Sequence, residues 1–118
     1  PRRGGQGLFA EGGEGHAEGP PEMKHRELEL REEAWLEWQE ASLRYEFEKQ
    51  GLGARFDKVV MTTLEHLASV AANYQVRENG FRYAPVGKFP YRIVFEIDAG
   101  VIVVYNIYHT SRKPIRRK

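Results

Sequence analysis

The sequence contains no cysteine in its 118 residues. That excludes a disulfide framework, a thiolate metal site and a cysteine nucleophile, and it fits a reducing, cytoplasmic setting. No apolar run approaches the ~18 residues of a membrane span, so no membrane partner is expected. The first residues are glycine-rich and lack an apolar stretch, which argues against a secretory signal. A phosphate-binding glycine loop is missing too, because the N-terminal glycines follow no strand. His25, His66 and His109 lack metal-ligand spacing, and no Ser-His-Asp order stands out. No cofactor and no metal are expected.

What remains is enough for one small domain. Net charge is only +1, but it is unevenly spread: residues 1–22 carry −2, residues 23–65 carry −3 and residues 66–118 carry +6. Five basic residues lie between Arg112 and Lys118. This asymmetry suggests an acidic partner, either nucleic acid or an acidic protein segment; the plainer reading is a solvated basic tail.

Residues 1–22 hold seven of the 12 glycines and three of the six prolines, with Leu8 and Phe9 as their only large apolar residues. Such a segment cannot bury enough surface to offset its backbone entropy, so it is predicted to be a disordered leader or tail. Met23 follows directly and reads as the natural start of a domain spanning 23–118.

Leu28 and Leu30 alternate with Glu27 and Glu29, which predicts a half-buried strand over 25–31. Residues 32–50 are rich in helix formers. Ala34, Trp38, Ala41 and Tyr45 share one face of that helix, while Leu36, Leu43 and Phe47 fall nearly opposite. A second apolar stripe of this kind suggests a partner surface, with tail packing or a homodimer contact as alternatives. Gly51-Leu52-Gly53 ends the helix, and residues 54–71 form a second amphipathic helix, making an α-hairpin. From residue 73 the period becomes two: Tyr74, Val76 and Glu78 alternate with Gln75 and Arg77 before Gly80 interrupts. Phe81-Arg82-Tyr83 resumes the pattern, and Pro85, Gly87 and Pro90 mark a turn region. Residues 91–98 and 101–109 read as two strands joined by a tight hairpin at Asp98-Ala99-Gly100. The last is β-branched and aromatic nearly throughout, as in a central strand covered on both sides. Strand, two helices, then three strands predict an α+β fold, βααβββ, with the helices on one sheet face.

The Glu-rich helix, the GLGARF at 51–56, the FPYRIVFEI at 89–97 and the HTSRKP at 109–114 together resemble the RelE/ParE superfamily of bacterial toxins. The likeness runs over residues 24–115 and is closer to the ParE branch. The resemblance implies an antiparallel sheet with the α-hairpin packed across one face. It also implies the toxin of a type II toxin–antitoxin pair, neutralised by a small cognate antitoxin. ParE-like members act on DNA gyrase; RelE-like members cut messenger RNA in the ribosome.

Cleavage of RNA needs a base, a cation for the phosphate and an acid for the leaving oxygen. By the RelE likeness Arg92 matches a phosphate-binding arginine, while Arg77 and Arg112 fall near basic positions. His109 would serve as acid or base. The departures weigh against this set. Residues 110–118 contain no aromatic where RelE-like enzymes place a tyrosine, and Gln75 stands where a second basic residue belongs. His109 and Arg112 are usual features of the ParE branch and need not be catalytic. Read as a strand-end residue, His109 hydrogen-bonds backbone or a carboxylate; read as a strand arginine, Arg92 is solvated or pairs with Glu96 or Glu78. Without catalysis, Arg82, Lys88, Arg92, Arg112, Lys113 and Arg116 form a basic face for an acidic antitoxin tail or the target, with Leu36, Leu43 and Phe47 as the apolar surface. The sequence thus leans to a non-enzymatic, cytoplasmic gyrase inhibitor. A ribosome-dependent endoribonuclease is the alternative, and a toxin-fold binding protein without toxicity is a third.

Overall fold

The computed structural model describes residues 25–111. The 1–22 segment, Met23 and the tail cations Arg112, Lys113 and Arg116 lie outside the described residues. In chain order the elements are β1 (Leu28–Leu30), α1 (Glu32–Glu48), α2 (Leu52–Val70), a 3-10 turn (Ala71–Asn73), β2 (Arg82–Val86), β3 (Phe89–Asp98) and β4 (Val101–His109). They build a four-stranded sheet of order β1-β4-β3-β2. The α+β βααβββ architecture is present. Its two hairpin pairings, β2 with β3 and β3 with β4, are antiparallel, and β1 joins β4 parallel. A parallel pairing requires a long crossover, and the α-hairpin between β1 and the later strands supplies one.

Ala34, Trp38 and Ala41 turn the first helix into the core, with Tyr45 partly buried beside them. On α2 the buried positions Phe56, Val60, Leu64 and Leu67 recur every three or four residues, one helical stripe that Ala71 of the 3-10 turn extends. They meet Tyr91, Ile93 and Phe95 of β3 and Ile102, Val104 and Ile107 of β4. Tyr45, Phe56, Phe89 and Tyr91 form a ring cluster with centroids 5.1 to 6.1 Å apart. Across the hairpin, the Trp38 indole N–H donates to Asp57 Oδ1 at 2.9 Å.

The turn between the helices is held from below. Glu46 accepts the Gly51 N–H and the Gly53 N–H, both at 2.9 Å, so α1 itself satisfies donors at the start of α2. Gly51 has φ +88°, which favours glycine. Gly53 is required for a different reason: a Cβ there would lie 2.6 Å from the Ser42 carbonyl oxygen. The two helices therefore approach backbone to backbone at this point.

Two segments depart from the alternation pattern. Residues 74–80 are not a strand, although their period is two. Instead the segment turns: Gly80 N–H donates to Arg77 O at 2.9 Å, and Arg77 N–H donates to Phe81 O at 2.8 Å. Pro85 and Pro90 lie within β2 and β3, not in a turn region; the turn is confined to Gly87-Lys88. β2 is an edge strand, where a missing N–H is tolerated, and the pairing register shifts between Pro85 and Val86. In the β3–β4 hairpin Ala99 joins Gly100 at positive φ, +53° and +83°, the pattern of a type I′ turn.

Gly53→Ala should lower stability by about 1–3 kcal/mol, because the clashing atom is backbone and cannot swing away; urea denaturation measures it. A second expectation concerns pH. Burial raises the Tyr45 phenol above its ordinary 10.0, Tyr91 and Glu48 add to the rise, and Arg44 opposes it. The folded state thus holds the neutral phenol more tightly than the unfolded chain does. That contribution is complete below pH 10.0 and is lost as pH climbs through the folded value. The urea midpoint should fall above pH 10.0, and fall less steeply in Tyr45→Phe.

Candidate functional site

The face of the sheet turned away from the helices carries its own small cluster. Phe81, Val94 and Tyr108 are buried there, with Tyr83 and Tyr105 packed against them. Cations surround this aromatic floor. The Arg77 guanidinium lies 5.0 Å above the Tyr83 ring, and Arg31 lies 5.2 Å above the Tyr105 ring. Arg92 sits in register with Tyr108 on β4 and Pro85 on β2, which puts it on the same face. Among the described residues Arg92 forms no ion pair. Glu96, one of its expected partners, accepts the Tyr105 hydroxyl at 2.8 Å.

His109 goes the other way. It is in register with Tyr91, and the two rings are 5.2 Å apart. Tyr91 belongs to the core under the helices. Adjacent residues of a strand point to opposite faces, so Arg92 and His109 are separated by the sheet. The His109 ring is also occupied. Its Nδ1 accepts the Ser111 N–H at 3.0 Å and lies 2.8 Å from the Ser111 hydroxyl. A backbone N–H only donates, so Nδ1 is the acceptor in this bond. The imidazole closes the turn that ends β4.

Arg82 is engaged as well. Its Nη1 donates to the carbonyls of Tyr74 at 2.6 Å and Ala72 at 3.3 Å, bracing the connection from the 3-10 turn to β2. Lys88 is exposed in the β2–β3 turn. Arg77 is in the loop before β2 and not on a strand. Leu36, Leu43 and Phe47 are exposed together on the outer side of α1. The structure thus gathers Arg77 and Arg92 on one face, leaves His109 on the other, and commits Arg82 to the scaffold. The sequence reading missed Arg31 and the tyrosine floor. Their signal was present: Phe81 and Tyr83 alternate, and Arg31 is the last residue of the strand expected over 25–31.

Among the described residues no group of three or more His, Asp or Glu side chains is placed to hold a metal ion. No described helix is long and apolar enough to cross a membrane.

The family model of the ParE toxin of type II toxin–antitoxin systems, parDE, matches residues 28–114. The chain belongs to the ParE toxin family. No protein of curated function matches it. Among solved structures, this ParE-family chain is similar to one described as the chromosomal ParDE TA system from P. aeruginosa. That likeness has a TM-score of 0.66 at 15% identity, over 76% of this chain and 99% of the other. At that identity the shared feature is the fold.

Removing the two arginines should separate scaffold from surface. Arg82→Ala leaves the Tyr74 and Ala72 carbonyls without their donor and should cost about 1–3 kcal/mol in thermal or urea unfolding. Arg92→Ala should change stability by less than about 0.5 kcal/mol.

Proposed function

We propose that this ParE-family toxin acts by binding DNA gyrase, without chemistry of its own, and that its cognate antitoxin silences it from the open sheet face. The observation that carries this reading is the separation of Arg92 from His109. A ribonuclease would need its phosphate-binding cation and its acid or base within reach of one scissile bond. Here the two project from opposite sides of the sheet, and the histidine nitrogen that accepts is already bonded to Ser111. The lack of an aromatic residue in 110–118 supports the same view.

The open face suits an acidic, partly apolar antitoxin segment. Arg31, Arg77 and Arg92 would meet carboxylates through charge-assisted bonds. The floor of Tyr83, Tyr105 and Tyr108 would supply apolar contact area, the part of an interface that carries most of its affinity. The basic residues Arg112, Lys113 and Arg116 would extend that attraction beyond β4.

A ribosome-dependent endonuclease keeps one point in its favour: Arg77 and Arg92 do share a face. The two readings differ in what a cell shows first. Induced expression of the full chain in bacteria should give DNA damage and filamentation while protein synthesis continues, and Arg92→Ala with His109→Ala should leave toxicity in place. Immediate arrest of translation, relieved by either substitution, would overturn the proposal in favour of RNA cleavage. Absence of any growth defect from soluble, folded protein would overturn it in favour of a toxin-fold binding protein.

A further inference from the structure

The outer side of α1 bears a ridge that nothing among the described residues covers. Leu36 is 54% exposed, Leu43 70% and Phe47 92%. Seven and four residues apart, they line up along one side of the helix over a length of about 16 Å. The ridge lies on the far side of the molecule from the open sheet face, because the opposite side of α1, through Ala34, Trp38 and Ala41, packs on the core. Its surroundings are predominantly acidic. α1 carries six glutamates and a single basic residue, Arg44. Glu32, Glu33 and Glu40 are the three- and four-residue neighbours of Leu36 or Leu43, so they flank the ridge directly. Arg44 only partly offsets them, 3.9 Å from Glu40.

We infer that this ridge docks an amphipathic helix of a partner protein whose apolar seam is flanked by lysine and arginine. A straight row of apolar side chains on one helix is complemented by a second helix laid along it. The acidic flanks select the charge of that second helix and suppress acidic ones. The same acidity disfavours a second copy of this chain, since face-to-face packing would set glutamates against glutamates. An acidic antitoxin segment is directed by charge to the basic sheet face instead, so the two surfaces take partners of opposite character and are open to both at once. This inference does not depend on which enzyme the toxin inhibits.

Trp35 is beside the ridge and exposed, which gives the test its reporter. Two tryptophan-free synthetic helices of about 18 residues share leucines at the seam positions; one has Lys and Arg flanks, the other Glu flanks. Titrated into the full chain, the basic peptide should shift the Trp35 emission and saturate, binding at least about tenfold tighter than the acidic one. Leu43→Glu and Phe47→Glu should each weaken it by about tenfold or more. Both positions are exposed, so circular dichroism should be unchanged. Glu33→Lys with Glu40→Lys should reverse the preference between peptides. Equal binding of the two peptides, binding unaffected by Leu43→Glu, or no binding of the basic peptide would overturn the inference. So would a concentration-dependent dimer in sedimentation that Phe47→Glu abolishes, which would assign the ridge to a second copy. Basic-peptide affinity that rises tenfold on deletion of residues 112–118 would assign it to the chain's own tail and overturn it equally.

Discussion

The structure depends on how the outer edge of β4 is completed. β4 is an inner strand of the sheet, yet its β1 neighbour has only three residues and pairs only with Ile102, Val103 and Val104. Past that point β4 would present bare backbone donors. Glu37 fills the gap: its carboxylate accepts the Ile107 N–H at 2.9 Å and the Asn106 amide at 3.2 Å. A carboxylate from a helix thus does the work of a fourth residue of β1. An unmatched edge donor is costly, and a bare edge invites foreign strands. The same bonds set the rotation of α1 about its own axis. With Glu37 fixed against β4, Trp38 and Ala41 turn inward, and Leu36, Leu43 and Phe47 have no choice but to face out. Glu37 is thus the clamp that orients the helix.

The second organising feature is the phase of β3 and β4. Because neighbours alternate, Arg92 and Tyr108 belong to the open face while Tyr91 and His109 belong to the helix side. One residue of offset along a strand is the difference between a shared site and two unrelated ones. The chain carries several side chains that RNA cleavage would use, but the sheet puts His109 on the opposite side from Arg77 and Arg92. Membership of the ParE family describes the scaffold and the class of system; the chemistry rests on where these particular side chains go.

Much of the fold was legible because its signals were strong and local. The two apolar stripes of α1, the single broad stripe of α2 and the run 101–109 each specify one arrangement. GLGARF marked the hairpin turn, though only the structure shows that Gly53 is there for the Ser42 carbonyl and not for its φ. The segment 74–80 misled because alternation measures two-sidedness, not pairing; its backbone groups close a local turn through Arg77, Gly80 and Phe81 instead of a ladder. Pro85 and Pro90 misled for the converse reason: Pro85 stands on the edge strand β2, where a missing N–H is tolerated, and Pro90 is the second residue of β3, beside the register shift between Pro85 and Val86. The site was less legible than the fold. Arg92 could be placed on the open face from alternation alone, but the opposite orientation of His109 depends on the β3–β4 register, and Arg82 becomes a brace only through carbonyls eight and ten residues away. Neither of these is encoded in a local pattern.

The central claim is that the toxin acts by occupying gyrase. Supercoiling of relaxed plasmid by purified gyrase, titrated with the full chain, tests it most directly. The account predicts that supercoiling stops and cleaved DNA accumulates, equally so with the His109→Ala variant. Undiminished supercoiling at large molar excess, from protein that does cut messenger RNA on ribosomes, would contradict it.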